Sequence, residues 1–417
     1  TLGSKSVAVG QGALFAQNYT TATDSHNIAV GQNAGAAITT GIQNTLVGGL
    51  AGDAITDADY NTAVGYAALG TNTVGSRSVA VGFQALLTQN PATATDMYNV
   101  AVGHNAGRDV TTGKEHVLIG GLAGDALTSG DRSVAIGTNA LSADTQGSRN
   151  VAVGYDSLKT QNFTTGTNAY NVGVGYNTGA AITTGTQNSI LGGEAGSSLT
   201  TGGDNAAFGY QSLRDDTLGS HSVALGPRAL KFQNFTTATD AYNTAVGSSA
   251  GLNVSTGIHN VLLGGLAGDQ LTDADFNIAI GVSALGADTQ GSRSVAIGKA
   301  ALENQNFSTA TISNNTAVGY EAGNDITTGV QNTLIGSGAG DKLTDSSFNT
   351  AVGIAALGAD TLGSRSTAIG RSALTVQNFT TATDTYNTAV GFNAGASVTT
   401  ATGSTLLGGL AGDAITD

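Results

Sequence analysis

The sequence predicts an all-β parallel solenoid, a β-roll of 17- and 21-residue coils stacked into a fibre segment, and three observations predict it. The chain repeats in steps of 72 without insertion or deletion: GSKSVAVG starts at Gly3, and its relatives start at Gly75, Gly147, Gly219, Gly291 and Gly363. Each block divides again, because a small polar residue, two further residues, an aliphatic and Gly recur at Gly10, Gly31, Gly48, Gly65 and Gly82, in steps of 21, 17, 17 and 17. Composition agrees: 62 Gly, no Cys, no Trp, one Met and two Pro in 417 residues describe a chain of small and β-branched side chains in which helix formers such as Lys, Glu and Met are scarce. A fixed period is read before domains or motifs. It gives five blocks and the greater part of a sixth, or 23 coils, in one repetitive segment covering residues 1–417. The opening TLGSKS has relatives and the closing AGDAITD a copy inside the chain, so the segment reads as an excerpt of a longer protein.

Within a coil each position has its own reason. In SVAVG the residues alternate, with Val79 and Val81 on one side and Ala80 on the other, which is the period of a strand. The residue before the glycine is Val, Ile, Leu or, once, Phe208 in all 23 coils, and the glycine itself is present in all 23. A turn with positive φ, or backbone packed on backbone, requires that glycine. Three residues later stands Ala, Ser or Thr, as at Ala34, Ala51 and Ala68. A helical solenoid would have to tolerate a Gly at the same place in every coil and runs such as AITTG, which argues against it. Asn precedes most strands (Asn27, Asn44, Asn61, Asn387), with Ser as the usual alternate, and in stacked coils such residues form ladders. Bulk is compensated: where the middle strand residue is Leu (Leu46, Leu118, Leu262, Leu334, Leu406), a second glycine mostly follows the turn glycine (Gly49, Gly121, Gly265, Gly409, with Ser337 the exception), and Gly35 pairs with Ile38 where Leu69 pairs with Asn72.

The phrases GSRSVAVGFQAL, GSRSVAIGKAAL and NTAVGYAAL resemble the SVAIG repeats in the heads of trimeric autotransporter adhesins, the YadA-like head, and the related repeats of bacteriophage tail fibres. The resemblance covers essentially the whole chain, one match per coil, and departs from the family in its longer coils and strict four-coil super-period. It implies a left-handed β-roll, three parallel chains about one axis, and an extracellular adhesive or host-recognition role at a cell surface or on a virion.

Self-association also follows without the family. At about 4.8 Å per stacked strand, 23 coils make a rod on the order of 110 Å long with a strip of Val and Ile along it. Soluble monomers rarely expose so much apolar surface, so sister chains are the expected partner and a parallel homotrimer the expected state. The net charge of −14 disfavours nucleic acid and bare anionic membranes, and no 18-residue apolar run offers a membrane span. Charged positions mostly recur once per block, as at Lys5, Arg77, Arg149, Arg293 and Arg365, with His221 in the remaining copy, far enough apart that like charges are screened from one another.

Catalysis finds no motif. The five histidines (His26, His104, His116, His221, His259) occupy five different places in the pattern and form neither HxH nor HExxH, so no metal site and no cofactor are expected. GxxxxGK[ST], GxSxG and CxxC are missing, and no irregular carboxylate cluster marks a glycan-cleaving solenoid. The expected function is a structural and adhesive extracellular fibre, with host-surface glycan or protein as a further partner. An ice-binding solenoid, suggested by Thr39, Thr56 and Thr73, is the alternative, and a glycan-cleaving one the third class.

The 21-residue coil carries QNFTTATD, or a variant of it, at 17, 89, 161, 233, 305 and 377. Its four extra residues must bulge. Asn18–Tyr19, Asn162–Phe163, Asn234–Phe235, Asn306–Phe307 and Asn378–Phe379 are therefore the candidate site residues, as a row of ligand-binding loops. The same asparagines match the N-x-[ST] glycosylation pattern, which Pro91 blocks at Asn90. A third reading is a latch in which the ring folds back over the coil while Gln and Asn satisfy the loop backbone. Tyr replaces Phe at position 19, as packing permits.

Overall fold

The structure, a computed structural model, describes residues 2–417, and all its regular secondary structure is β. Two units divide the chain, one up to Asn205 and one from Ala206. Each is a parallel β-solenoid with the coil lengths the sequence predicts. The first holds eleven three-residue strands, from Val7–Val9 to Ser189–Leu191, and the second holds twelve, from Ala206–Phe208 to Thr405–Leu407. Neighbouring strands pair in parallel with like positions opposed: Val79, Ala80 and Val81 face Val100, Ala101 and Val102 in the first unit, and Val295, Ala296 and Ile297 face Thr316, Ala317 and Val318 in the second. Since side-chain direction has period two, this register sends every middle residue inward and both flanks outward. The middle residues of all but the terminal coils are fully buried.

The turn glycines meet both requirements foreseen for them. All 23 have φ between 120° and 145°. They also touch: a Cβ on Gly48 would lie 2.5 Å from the carbonyl oxygen of Gly65, and one on Gly264 would lie 2.5 Å from that of Gly281. No side chain fits between coils at that point.

Three further positions turn left-handed in the ordinary coil, and most are not glycine. They are exemplified by Tyr98, Asn105 and Gly107, with φ of 53°, 55° and 57°. A non-glycine residue there costs roughly 1 kcal/mol, so the side chains at these places return something in packing. Leu69, Leu86, Leu141 and Leu158 do so at the third place, where their side chains fill the core that Ile38 or Ile55 fills in coils with glycine there.

The compensation for mid-strand Leu is different from the one the sequence suggests. A Cβ on Gly121 meets nothing within 4 Å, so that second glycine makes no room. Leu118 instead presses on Gly107 of the preceding coil and Gly124 of its own, whose added Cβ atoms would come within 2.6 and 2.8 Å of its methyls. Leu46 stands likewise between Gly35 and Gly52, and Leu262 between Gly251 and Gly268. Bulk moves from the turn of two coils into the strand of one.

The residues before the strands form the predicted ladder. Asn44 N–H donates to Oδ1 of Asn27 at 2.9 Å, Asn61 N–H to Oδ1 of Asn44 at 3.0 Å, and Ser78 N–H to Oδ1 of Asn61 at 2.9 Å. Each amide NH₂ then crosses the coil, as from Asn44 to the carbonyl of Ala58 at 2.9 Å. His116 replaces Asn in one coil: its Nε2–H donates to Gly130 O at 2.7 Å and its Nδ1 accepts from Ser133 N–H at 3.2 Å. Burial lowers its pKa and keeps it neutral, so it serves as an amide surrogate.

Because contacts run from coil to next coil, register matters more than length. Deleting residues 75–146, one full period, should leave a shorter solenoid with the same melting cooperativity by circular dichroism. Deleting only 75–114, which is not a whole number of coils, should broaden or abolish the transition, and equal behaviour of the two would contradict the register.

Candidate functional site

Two features of the surface repeat, a strand face and a loop. The strand face carries the outward flanks of the strands, and their large aliphatics stand half in solvent: Val102, Ile119 and Ile136 of consecutive coils are 37%, 38% and 36% exposed. An outward column borders it on each side. One follows the turn glycine, where Tyr66 stacks on Phe83 at 5.7 Å and Phe83 on His104 at 5.2 Å. The other is the left-handed position before the ladder, where Tyr242 stacks on His259 at 5.4 Å and His259 on Phe276 at 4.9 Å. His26, His221 and His259 all occupy this left-handed coil position, although the sequence pattern scatters the histidines. These rings lie within 15° of parallel, so each is covered on a face by its neighbour, whereas His221 and Tyr242 are tilted by 50°.

The recurrent basic residues belong to the same column. Arg77 lies 4.8 Å from the centre of Tyr60, and Arg365 lies 4.7 Å from that of Phe348. Each also pairs with the last residue of the loop, Arg77 with Asp96 at 2.9 Å and Arg365 with Asp384 at 3.0 Å, as Lys5 does with Asp24 at 2.7 Å. Exposed pairs of this kind add little to stability. Their main effect is to tie the far end of the loop to the preceding coil, beside a short parallel pairing of Gly75–Ser76 with Thr95–Asp96.

The loop separates its own residues into inner and outer. The rings of Tyr19, Phe163, Phe235, Phe307 and Phe379 are 5–7% exposed, and they pack over the glycine that opens each block, where a Cβ on Gly291 would meet Phe307 at 2.7 Å. The neighbouring Asn18, Asn162, Asn234, Asn306 and Asn378 lie at the surface, followed by exposed Thr or Ser. Asn162 accepts from Thr145 Oγ1 at 3.0 Å, and Asn234 accepts from Thr217 Oγ1 at 2.9 Å. Thus a partner from solution meets Asn, Thr and the loop tip, while the ring belongs to the core. The hydroxyl of Tyr19 is not idle: it donates to Gly41 O at 2.6 Å and accepts from Asn27 Nδ2 at 3.2 Å.

The loop glutamine works inward on side chains rather than on the loop backbone. Gln161 donates to Asp144 at 2.7 Å and accepts from Asn171 at 2.8 Å, joining the loop to the ladder. Asp144, Asp216, Asp288 and Asp360, which no motif marked, are fully buried beneath the loops. Burial raises their pKa values against the opposing pull of hydrogen bonds from the glutamine and from backbone N–H groups. The sequence did hold a signal: an Asp or Asn three residues before each block after the first.

No protein-family model matches the chain, and no curated protein is similar to it.

Truncating all five rings to Ala should remove about 3 kcal/mol or more per site, the usual loss for a buried aromatic. Thermal melting should fall clearly. An unchanged melt would show that the rings do not latch the loops.

Proposed function

We propose that the chain is a segment of an extracellular structural and adhesive fibre, assembled as a parallel homotrimer and carrying no catalytic function. The observation that supports it most is the outward strand face, in which half-exposed Val, Ile and Leu stand in register coil after coil between two aromatic columns. A strip of this kind exceeds what soluble monomers leave uncovered, and a second and third copy offer the same repeat at the same spacing. Such a match holds at every coil only if the partner has the same period. The likeness of GSRSVAVG and NTAVG to adhesin-head and tail-fibre repeats points the same way.

In this reading the loops are the adhesive element. Asn162, Asn234, Asn306 and Asn378, with the exposed Thr or Ser two residues after each, would meet a host-surface glycan or protein, and repetition would multiply a weak contact. The loop rings are buried, so recognition by the loop falls to these polar groups.

Sedimentation should give three times the mass of the chain. Introducing Asp at Val81, Val153 and Ile297 together would place up to nine charges in the trimer interface and should prevent assembly. A wild-type chain that sediments as a folded monomer, or a triple variant that still forms the trimer, would overturn the reading.

A further inference from the structure

Four loops close over a carboxylate, and one closes over an amide. Oδ1 of Asp144, Asp216, Asp288 and Asp360 accepts the N–H of the glycine three residues on at 3.0 Å in all four copies. Oδ2 accepts from Gln161, Gln233, Gln305 and Gln377 at 2.7, 2.7, 2.5 and 2.6 Å. The backbone N–H of Phe163, Phe307 and Phe379 donates to Oδ1 at 3.2, 3.2 and 3.1 Å. The loop, its ladder neighbour and the block-opening glycine all present uncharged groups. Burial pushes the pKa of each of the four carboxyls up, and the glutamine and backbone N–H donors pull the other way, burial being the larger effect.

At the corresponding place in the first block stands Asn72. Its Oδ1 accepts from Gly75 N–H at 3.0 Å, and its Nδ2 donates to Gly75 O at 2.7 Å. The loop above it has Pro91 in the phenylalanine position, which has no N–H to donate. It also has Met97 where the later copies have Ala169, Ala241, Ser313 and Thr385. Pro91 and Met97 fill the volume of the missing ring, since a Cβ on Gly75 would meet both at 3.1 Å. Asp, Phe and a small residue thus change together to Asn, Pro and Met: one donor is lost where the charge is lost.

We propose that Asp144, Asp216, Asp288 and Asp360 make their loops pH-responsive latches that tighten in acid, and that the Asn72–Pro91–Met97 loop is a charge-free latch indifferent to pH. A buried carboxylate without a cation is costly, so closing the loop favours the protonated form over the solvated one. Closure therefore takes up a proton in the window above the ordinary Asp value of about 3.9. The added closing strength is fully present below that value and is lost as pH rises through the value in the closed loop.

Amide hydrogen exchange of the full chain between pH 4 and 7.5, corrected for intrinsic rates, tests this. Gly147, Gly219, Gly291, Gly363 and their loops should lose protection as pH rises, by up to about tenfold for each unit separating the closed and open values. Gly75 and residues 89–96 should not change. Five loops responding alike, or the four loosening in acid, would overturn the proposal. Exchanging the sets should exchange the behaviour: D216N/F235P/A241M should flatten the response of loop 233–240, and N72D/P91F/M97A should confer one on loop 89–96. If either triple variant fails to fold, the comparison of the five wild-type loops still decides.

Discussion

Backbone lies directly on backbone at the turn after each strand, and the rest of each unit depends on that contact. A glycine α-carbon touches the next glycine's carbonyl, which leaves no room for a side chain and no freedom to shift one coil along another. Once that point is fixed, the strand register is fixed, and with it which residues face in. Ala and an occasional Leu then fill a narrow interior, the Leu being accommodated by glycines in two neighbouring turns rather than one. The asparagine ladder answers the same constraint in polar terms, because identical coils place identical amide groups where each can bond the one before.

Function follows from what such a coil leaves outside. The strand flanks combine Thr with Val, Ile and Leu, and in the proposed trimer that repeating, half-exposed strip is covered by partners that repeat with it. The longer coil is the place where the chain departs from uniformity at low cost. Its bulge is held by a buried glutamine and, in all copies but the one with Pro91, by a buried ring, and the loops that end in Asp24, Asp96 and Asp384 are tied at the far end as well by an ion pair with the preceding coil, so that what faces solvent is a short polar tip. Anchored tips at fixed spacing suit multivalent contact better than free ones, since little order is lost on binding.

Much of this was legible in the sequence. Period, coil length, strand position, the role of the turn glycine and the asparagine ladder all come from residues that must recur to stack. What was missed concerns contacts between coils of different type. Gly121 looked like the counterweight to Leu118 because it is adjacent in sequence, whereas Gly107 and Gly124 are adjacent in space. His26, His221 and His259 looked scattered because they fall at different points of the four-coil period, although they share one position of the coil. The buried aspartates carried no motif at all. Their sign was the joint change of Asp, Phe and Ala to Asn, Pro and Met, which has meaning only once the three side chains are seen around Gly75. For the candidate loops the sequence located the site, and only the structure separated the buried rings from the exposed asparagines.

The central claim, that a close backbone contact sets the fold, is tested most directly by comparing two adjacent glycines. Gly120 has φ of 134°, and a Cβ there would lie 2.6 Å from the carbonyl of Gly137, whereas Gly121 has nothing within 4 Å. Thermal melting and amide exchange across residues 100–140 should show Gly120→Ala destabilised by about 1–3 kcal/mol or more, and Gly121→Ala within about 0.5 kcal/mol of wild type. Equal effects of the two substitutions, or an unperturbed Gly120→Ala, would contradict it.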